Sequence, residues 1–453
     1  MSLAVIITTM KTSELAHIIS GQLNGNDVEF QGFSTDSRTI NPGELFIALK
    51  GETFDGHDHL AQVLSKNAAC ALVEKAQAID LPQIIVADTY QALATWAAWH
   101  RAQLPDIKVI AVTGSCGKTT TKQMMSAIFA KAGPTFAAIG SFNNHIGVPV
   151  TLLGLTKAHR FAVIEIGANH PHEISPLTQM AKPDVAIITI VAPVHTEGFG
   201  DVDTIAKTKA EIFEGLGPKG VAVVNQDDHY FSFWQQLLKN QPVLRFSTHN
   251  KADVFASDIS LEFGCPAFML NTPKGNIRIQ LPILGRHNVI NALAAASAAV
   301  ALDVPLALIA EGLAHMQPAK HRLHVCKGIN GATIIDDAYN ANPLAVKAAL
   351  DILADYPGEK VWVFFDMKEL GALAHDAHQE VGMLAREKGI NRIFALGEHA
   401  RITVDAFGEG GQHFTHKADL ITALKPLLHK NMTILIKGSR SGALEEVVKA
   451  LME

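Results

Sequence analysis

The chain has 453 residues, 48% of them hydrophobic and 18% charged, with a formal net charge of -6. That length exceeds one ordinary core and implies roughly two to four domains, while the mildly acidic balance without basic tracts excludes a general nucleic-acid binder. The opening apolar run LAVII is too short for a signal peptide or a membrane span, and the four cysteines, Cys70, Cys116, Cys265 and Cys326, lie too far apart in sequence for a disulfide framework. A reducing cytoplasm is the expected setting, with no membrane span and no nucleic acid as partner. The 21 histidines fall singly, without Cys/His spacing of a structural zinc site. MKTSELAHIISGQL from Met10 reads as a natural beginning, which makes the preceding residues an upstream start or an appended segment.

In chain order, the first hundred residues form one unit, rich in Asp, Gly and short strands. It ends in a predicted helix over 89–104, TYQALATWAAWHRAQL, and PDI links it onward. From Lys108 short apolar runs alternate with Ala-rich helical segments: KVIAV (108–112), FAVIEI (161–166), VAIITIV (185–191) and GVAVVN (220–225). Continuous apolar runs of this length suit strands buried on both faces of a parallel sheet. Between Val254 and Leu284 the texture changes to alternation, and NIRIQL preceded by NTPKG predicts an antiparallel hairpin; the helical NALAAASAAVAL follows. A second α/β series begins near Pro318, with ATIIDD, KVWVFF, RIFALG and TILIKG as buried strands. The expected fold class is therefore α/β with three domains. These are a smaller N-terminal α/β unit (1–106), a central doubly wound phosphate-loop unit (107–315) and a C-terminal Rossmann-like unit (316–453).

The segment KVIAV-TGSCGKTT-TKQMMSAIF sets Gly114, Ser115, Cys116, Gly117, Lys118, Thr119 and Thr120 between a buried strand and a helix. There, backbone N–H groups and the helix dipole face an anion. The usual phosphate loop has four residues between its glycines; only Ser115 and Cys116 separate Gly114 from Gly117. Lys118 would reach the terminal phosphates of ATP and the Thr119 hydroxyl would ligate Mg²⁺. Glu165 closes the strand VIEI, at the carboxyl edge where ligands bind in doubly wound folds, and is a candidate second Mg²⁺ ligand. A strand-end Glu is as readily a capping or ion-paired residue. His195 in VAPVHTEGFG follows a strand, and a lone His is more often structural.

Taken together, these pieces resemble the Mur ligase superfamily of ATP-dependent amide-bond-forming enzymes, and the resemblance runs from about Met10 to the C-terminus. It is strongest to the branch carrying DDAYNANP. The resemblance implies addition of D-alanyl-D-alanine to UDP-N-acetylmuramoyl-tripeptide, with ATP and Mg²⁺, in peptidoglycan precursor synthesis by a cytoplasmic monomer. It implies that Ser34, Thr35, Asp36, Ser37 and Arg38 in STDSRTINPGELF form the uridine-nucleotide pocket; otherwise that loop reads as a polar turn. Asn143 and Asn144 in GSFNNHIGVP would line the substrate channel, and Glu165 and His195 would hold magnesium. Lys209 in KAEIF falls at the lysine carbamylated in relatives, where an uncharged amine adds CO₂ to become an oxygen ligand; Lys207 reads as a solvated neighbour.

In GRHNVINALAAASAA the resemblance places His287 near the phosphates and Asn291 at the base, and Asn288 is also a candidate helix cap. Arg322 in AKHRLHV would reach over the γ-phosphate, Asp337 would meet the ribose and Tyr339 the base or ribose, while Asn340 and Asn342 face the cleft. The implied catalytic set is Lys118, Lys209 and Arg322. Two stretches depart from the family pattern: Phe365 stands where a glycine usually precedes DM, and the sequence after Arg440 differs from Ser441 onward. A phosphate-loop kinase, a sister ligase or a non-catalytic nucleotide switch would share the central loop but not DDAYNANP.

Overall fold

The computed structural model describes residues 9–138, 140, 142–194 and 196–452. Its organisation follows from the runs of apolar residues that must be covered on both faces. Lys108–Thr113, Phe161–Glu165, Val185–Ile188 and Val221–Asn225 lie side by side in a nine-stranded sheet, buried along nearly their whole length. The pairs among these neighbours are parallel, with Ile164 opposite Ala111 and Ile187 opposite Val112. The chain runs from Lys108–Thr113 to Phe161–Glu165 on one side and later to Val185–Ile188 on the other. The connection after Lys108–Thr113 therefore sits at a topological switch point, where a crevice opens beyond the strand ends.

Alternation replaces continuous hydrophobicity at the far edge of this sheet. Cys265–Thr272 and Gly275–Gln280 pair antiparallel across the Pro273–Lys274 turn, as the NTPKG signal predicts. Helices Lys118–Ala132, Asn288–Ala301 and Leu306–Ala314 cover one face, their Met124, Ile128, Leu293 and Leu313 meeting Ile110 and Val223 in one core. The other face is covered partly by the N-terminal unit. Its helix Thr89–Ala102 packs on Gly147–Leu153, and Trp96 shares a core with Ile164 and Val224. Arg101, buried at the end of that helix, donates to the carbonyls of Ala181 (3.0 Å) and Leu104 (2.5 Å), so a buried charge finds several acceptors across the junction.

The N-terminal unit holds a five-stranded sheet of short strands, and the C-terminal unit a six-stranded sheet. In the latter, Thr333–Asp337, Met432–Lys437, Glu359–Phe365, Arg392–Leu396 and Gly411–Phe414 are parallel in that order, with His324–Lys327 antiparallel at the edge. Its strands carry Asp337, Lys437 and Asp366 at or just past their carboxyl ends. One expected strand is shorter than its apolar run: VAIITIV pairs only over Val185–Ile188. Beyond it, Ile190 and Ala192 turn their carbonyls to Ser115, which donates to them at 2.7 Å from its amide and 3.0 Å from its hydroxyl. Hydrophobicity alone does not register that the chain has left the sheet to serve a loop.

Candidate functional site

The phosphate-loop segment joins strand Lys108–Thr113 to helix Lys118–Ala132 through two glycines with positive φ, 143° at Gly114 and 82° at Gly117. Close approach also demands glycine here. A Cβ on Gly114 would lie 2.0 Å from Thr189 Oγ1, and one on Gly117 would lie 2.2 Å from Asn291 Oδ1. The helix begins at Lys118, so its first-turn N–H groups open into the crevice. Lys118 Nζ donates to the Gly114 carbonyl at 2.6 Å, which holds the ammonium over the loop; removal from water lowers its pKa.

This loop forms one wall of a cavity of about 760 Å³ whose other wall is the C-terminal unit. Fifteen residues singled out from the sequence meet there. Ser115, Cys116, Gly117, Lys118, Thr119, Thr120, Asn143, Glu165, His287 and Asn291 come from the middle unit, and Arg322, Asp337, Tyr339, Asn340 and Asn342 from the C-terminal one. Arg322 stacks its guanidinium over the Tyr339 ring at 4.2 Å, which turns a long flexible cation into a fixed one. Asp337 pairs with the buried Lys437 at 2.6 Å, and Lys437 also donates to the Asn340 carbonyl at 2.9 Å. The two walls touch where Asn342 meets the Cys116 thiol, with its amide nitrogen 3.3 Å from the sulfur. Burial raises the Cys116 pKa and keeps it a thiol.

At the end of strand Phe161–Glu165, Glu165 is sealed from solvent. Its Oε1 accepts from Asn143 at 2.9 Å and from the Thr119 hydroxyl at 3.3 Å. Among the described residues its Oε2 accepts no hydrogen bond, and it faces Lys122 Nζ at 3.4 Å. A buried carboxylate oxygen without a donor, next to a threonine hydroxyl at a phosphate loop, is a donor set that fits a hard divalent cation. Lys209, on helix Val202–Ala210, is buried beneath this corner, donating to the Ala168 carbonyl at 3.4 Å and facing the Phe199 ring at 5.3 Å. Burial first, then the Lys118 charge, lowers its pKa from 10.5 to about 7, while Lys207 is exposed. His195, the remaining expected magnesium ligand, lies outside the described residues.

Other expected residues lie elsewhere, except Asn288, which lines the same cavity. Gly114 belongs to the loop but does not line the cavity. Asn144 turns its side chain to the backbone, accepting from Ile146 (3.2 Å) and Gly147 (3.0 Å) at the start of helix Gly147–Leu153. Ser34, Thr35, Asp36, Ser37 and Arg38 belong to the N-terminal unit, apart from the cleft. There Arg38 grips Asp36 with two side-chain bonds of 2.9 and 2.8 Å, and Ser37 donates to Gln62 at 3.0 Å. Asn288 does not cap its helix: it is the first helical residue and donates to the Leu284 carbonyl at 2.7 Å while accepting from Asn291. Phe365 fills the space between two glycines; a Cβ on Gly438 or on Gly442 would come within 2.5 Å of it.

Lys122 and Lys437 carry buried charges in this site that sequence reasoning left without a role. The available signal for Lys122 was its spacing, one helical turn after Lys118 and therefore on the same face.

The switch-point crevice, the glycine-dependent loop and the buried carboxylate beside it define a nucleotide phosphate-binding α/β protein. Family models for the Mur ligase family catalytic domain, the Mur ligase middle domain and the Mur ligase glutamate ligase domain match residues 29–118, 112–299 and 321–440. The chain is 42% identical to UDP-N-acetylmuramoyl-tripeptide–D-alanyl-D-alanine ligase of Escherichia coli K12, over 97% of this chain and 98% of that one. Among solved structures it is similar to MurF from Acinetobacter baumannii (TM-score 0.93, 36% identity, 99% and 100% coverage). It is also similar to MurF from Thermotoga maritima in complex with ADP (TM-score 0.81, 26% identity, 92% and 96% coverage). The chain belongs to the Mur ligase family.

Proposed function

We propose that this chain joins D-alanyl-D-alanine to UDP-N-acetylmuramoyl-tripeptide, converting ATP to ADP and phosphate. The observation that carries the reading is one cleft walled by a phosphate loop on the middle unit and by Arg322, Asp337 and Lys437 on the C-terminal unit. A cleft of this kind suits a reaction in which a nucleotide phosphate and two further substrates meet away from water. Full-length similarity to ligases of that activity supports the particular substrates.

The tripeptide carboxylate attacks the γ-phosphorus of ATP; the bond to ADP breaks and an acyl phosphate forms. The dipeptide amine then attacks the acyl carbon. The tetrahedral intermediate collapses with loss of phosphate, which carries away one carboxylate oxygen, and the amine proton leaves to solvent. No protein nucleophile takes part, in keeping with a Cys116 thiol held protonated by burial. Lys118 and the first-turn amides of its helix bind the phosphates, and Arg322, fixed on Tyr339, balances charge from the opposite wall. Asp337, Tyr339 and Asn291 hold the nucleoside side, His287 lies near the phosphates, and Asn143, Asn340 and Asn342 face the acceptor and donor peptides. Ser34, Thr35, Asp36, Ser37 and Arg38 serve the UDP end.

Thr119, Glu165, His195 and, once carbamylated, Lys209 would hold Mg²⁺, which would supply charge neutralisation at the phosphates. A Lys209 amine whose pKa burial lowers to about 7 is neutral for a substantial fraction of the time at that pH, and the neutral form is competent to add CO₂, releasing a proton as the carbamate forms. Three α/β domains, approximately 1–106, 107–315 and 316–453, divide the work into UDP binding, ATP binding and closure. The reading includes a monomer acting in the cytoplasm, where ATP and a nucleotide-linked precursor are at hand. Phosphate release tests the reading: it should require ATP, the UDP-tripeptide and D-Ala-D-Ala together, and undiminished release without the dipeptide, or with glutamate in its place, refutes it.

A further inference from the structure

Thr189 belongs to none of the phosphate-binding motifs, yet its side chain makes a short contact to the loop. It directly follows strand Val185–Ile188, the neighbour of the loop's own strand, and is buried to 3% exposure. Its hydroxyl lies 2.5 Å from the Cys116 carbonyl and 3.3 Å from that of Thr113, so its single proton goes to Cys116. A trans peptide is planar, with C=O and N–H pointing opposite ways. Drawing the Cys116 carbonyl down toward Thr189 therefore turns the Gly117 N–H up, away from the sheet and toward the cleft.

Two further contacts fix the strut. The Thr189 amide donates to Thr113 at 3.0 Å, and its carbonyl accepts from the buried Asn225 amide at 3.2 Å, which ties it to the next strand. The absent Cβ of Gly114 leaves the space the hydroxyl occupies, since a Cβ there would lie 2.0 Å from it. The Ser115 amide is by contrast spent on the Ile190 carbonyl, so the loop cannot offer that N–H to an anion. With so short a loop, the orientation of the Cys116–Gly117 peptide carries a correspondingly larger share of phosphate binding.

We infer that Thr189 is a positioning residue for the nucleotide: its hydroxyl sets the Cys116–Gly117 peptide so that the Gly117 N–H faces the phosphates. The inference rests on the nucleotide-binding part of the proposed function and not on the identity of the peptide substrates.

The test compares Thr189→Val, which keeps shape and removes the donor, with Thr189→Ser, which keeps the donor. Titrations with a fluorescent ADP analogue and with UDP-N-acetylmuramoyl-tripeptide provide the readout. Thr189→Val should weaken ADP about tenfold, as expected for a lost buried hydrogen bond, and raise the KM for ATP more than it lowers kcat. Thr189→Ser should bind ADP nearly as the parent does, and both variants should keep the parent's affinity for the UDP substrate. Thr189→Ala repeats the comparison without β-branched bulk if the valine variant folds poorly. Unchanged ADP binding in the variants lacking the hydroxyl, equal loss in Thr189→Ser, or parallel loss of UDP-substrate binding overturns the inference. Because ADP binding is read directly, failure of D-Ala-D-Ala-dependent phosphate release would leave this result standing and would count against the ligase reading alone.

Discussion

Lys118 and Lys122 stand one turn apart on helix Lys118–Ala132, yet their surroundings divide their roles. Lys118 leans over the loop toward the cleft, while Lys122 is sealed against Glu165 and the Gly140 carbonyl. A buried ion pair is costly to break from one side, because the surviving charge has no solvent to turn to. Lys118→Ala removes the ammonium that the loop holds toward bound phosphate. Turnover should fall by roughly a hundredfold or more, with UDP-substrate affinity unchanged in a binding titration. In the N-terminal unit the hydrogen bonds from Arg38 hold the Asp36 pKa at about 2, against 3.8. The folded-state value lies below the unfolded one, so this contribution to stability is present above 3.8 and fades as pH falls toward 2. In Arg38→Ala, carboxyl NMR titration should find Asp36 moved back toward 3.8. At this scale, residue types and spacing reveal Lys118, Thr119 and Glu165, because loop, strand end and helix start are local patterns. That Asp36 is gripped by Arg38, or that Lys122 is buried, depends on contacts that side chains make only after folding.

Helix Pro343–Ala354 shows how an element can serve two purposes at one end. Pro343 fixes the first helical position, and Asn342 caps it by accepting from the Ala345 amide at 2.9 Å. The same side chain turns its amide nitrogen to Cys116, so the helix start is also where the C-terminal unit meets the phosphate loop. Asn342→Ala should destabilise the C-terminal unit by about 1 kcal/mol, visible as faster amide exchange in this helix. Asn342→Asp should keep the cap and the slow exchange, yet lose activity by placing a carboxylate beside bound phosphate. Asn-Pro is a local signal for a helix start, whereas contact with a loop far away in sequence leaves no such signal. The strand expected through 191 stops at Ile188 for a related reason, since loop-directed hydrogen bonds carry no hydrophobic signature. Asn288 likewise looked like a cap and instead braces Leu284 and Asn291.

Across the whole molecule, continuous apolar runs revealed two parallel sheets, and the switch to alternation revealed the antiparallel hairpin at the edge. Strand order and the shared core under Trp96 lay beyond that reading, because neighbours in a doubly wound sheet are set by crossover packing. The same arrangement explains the division of chemistry. Strand ends of the middle sheet present Glu165 and the phosphate loop, those of the C-terminal sheet present Asp337 and Lys437, and the cleft lies between them. The most direct test of acyl-phosphate ligation in that cleft follows an oxygen atom. With UDP-N-acetylmuramoyl-tripeptide carrying ¹⁸O at both oxygens of its terminal carboxylate, mass spectrometry should find one ¹⁸O in each phosphate released and an equal amount of the pentapeptide product. Unlabelled phosphate, or labelled substrate consumed without pentapeptide, would contradict it.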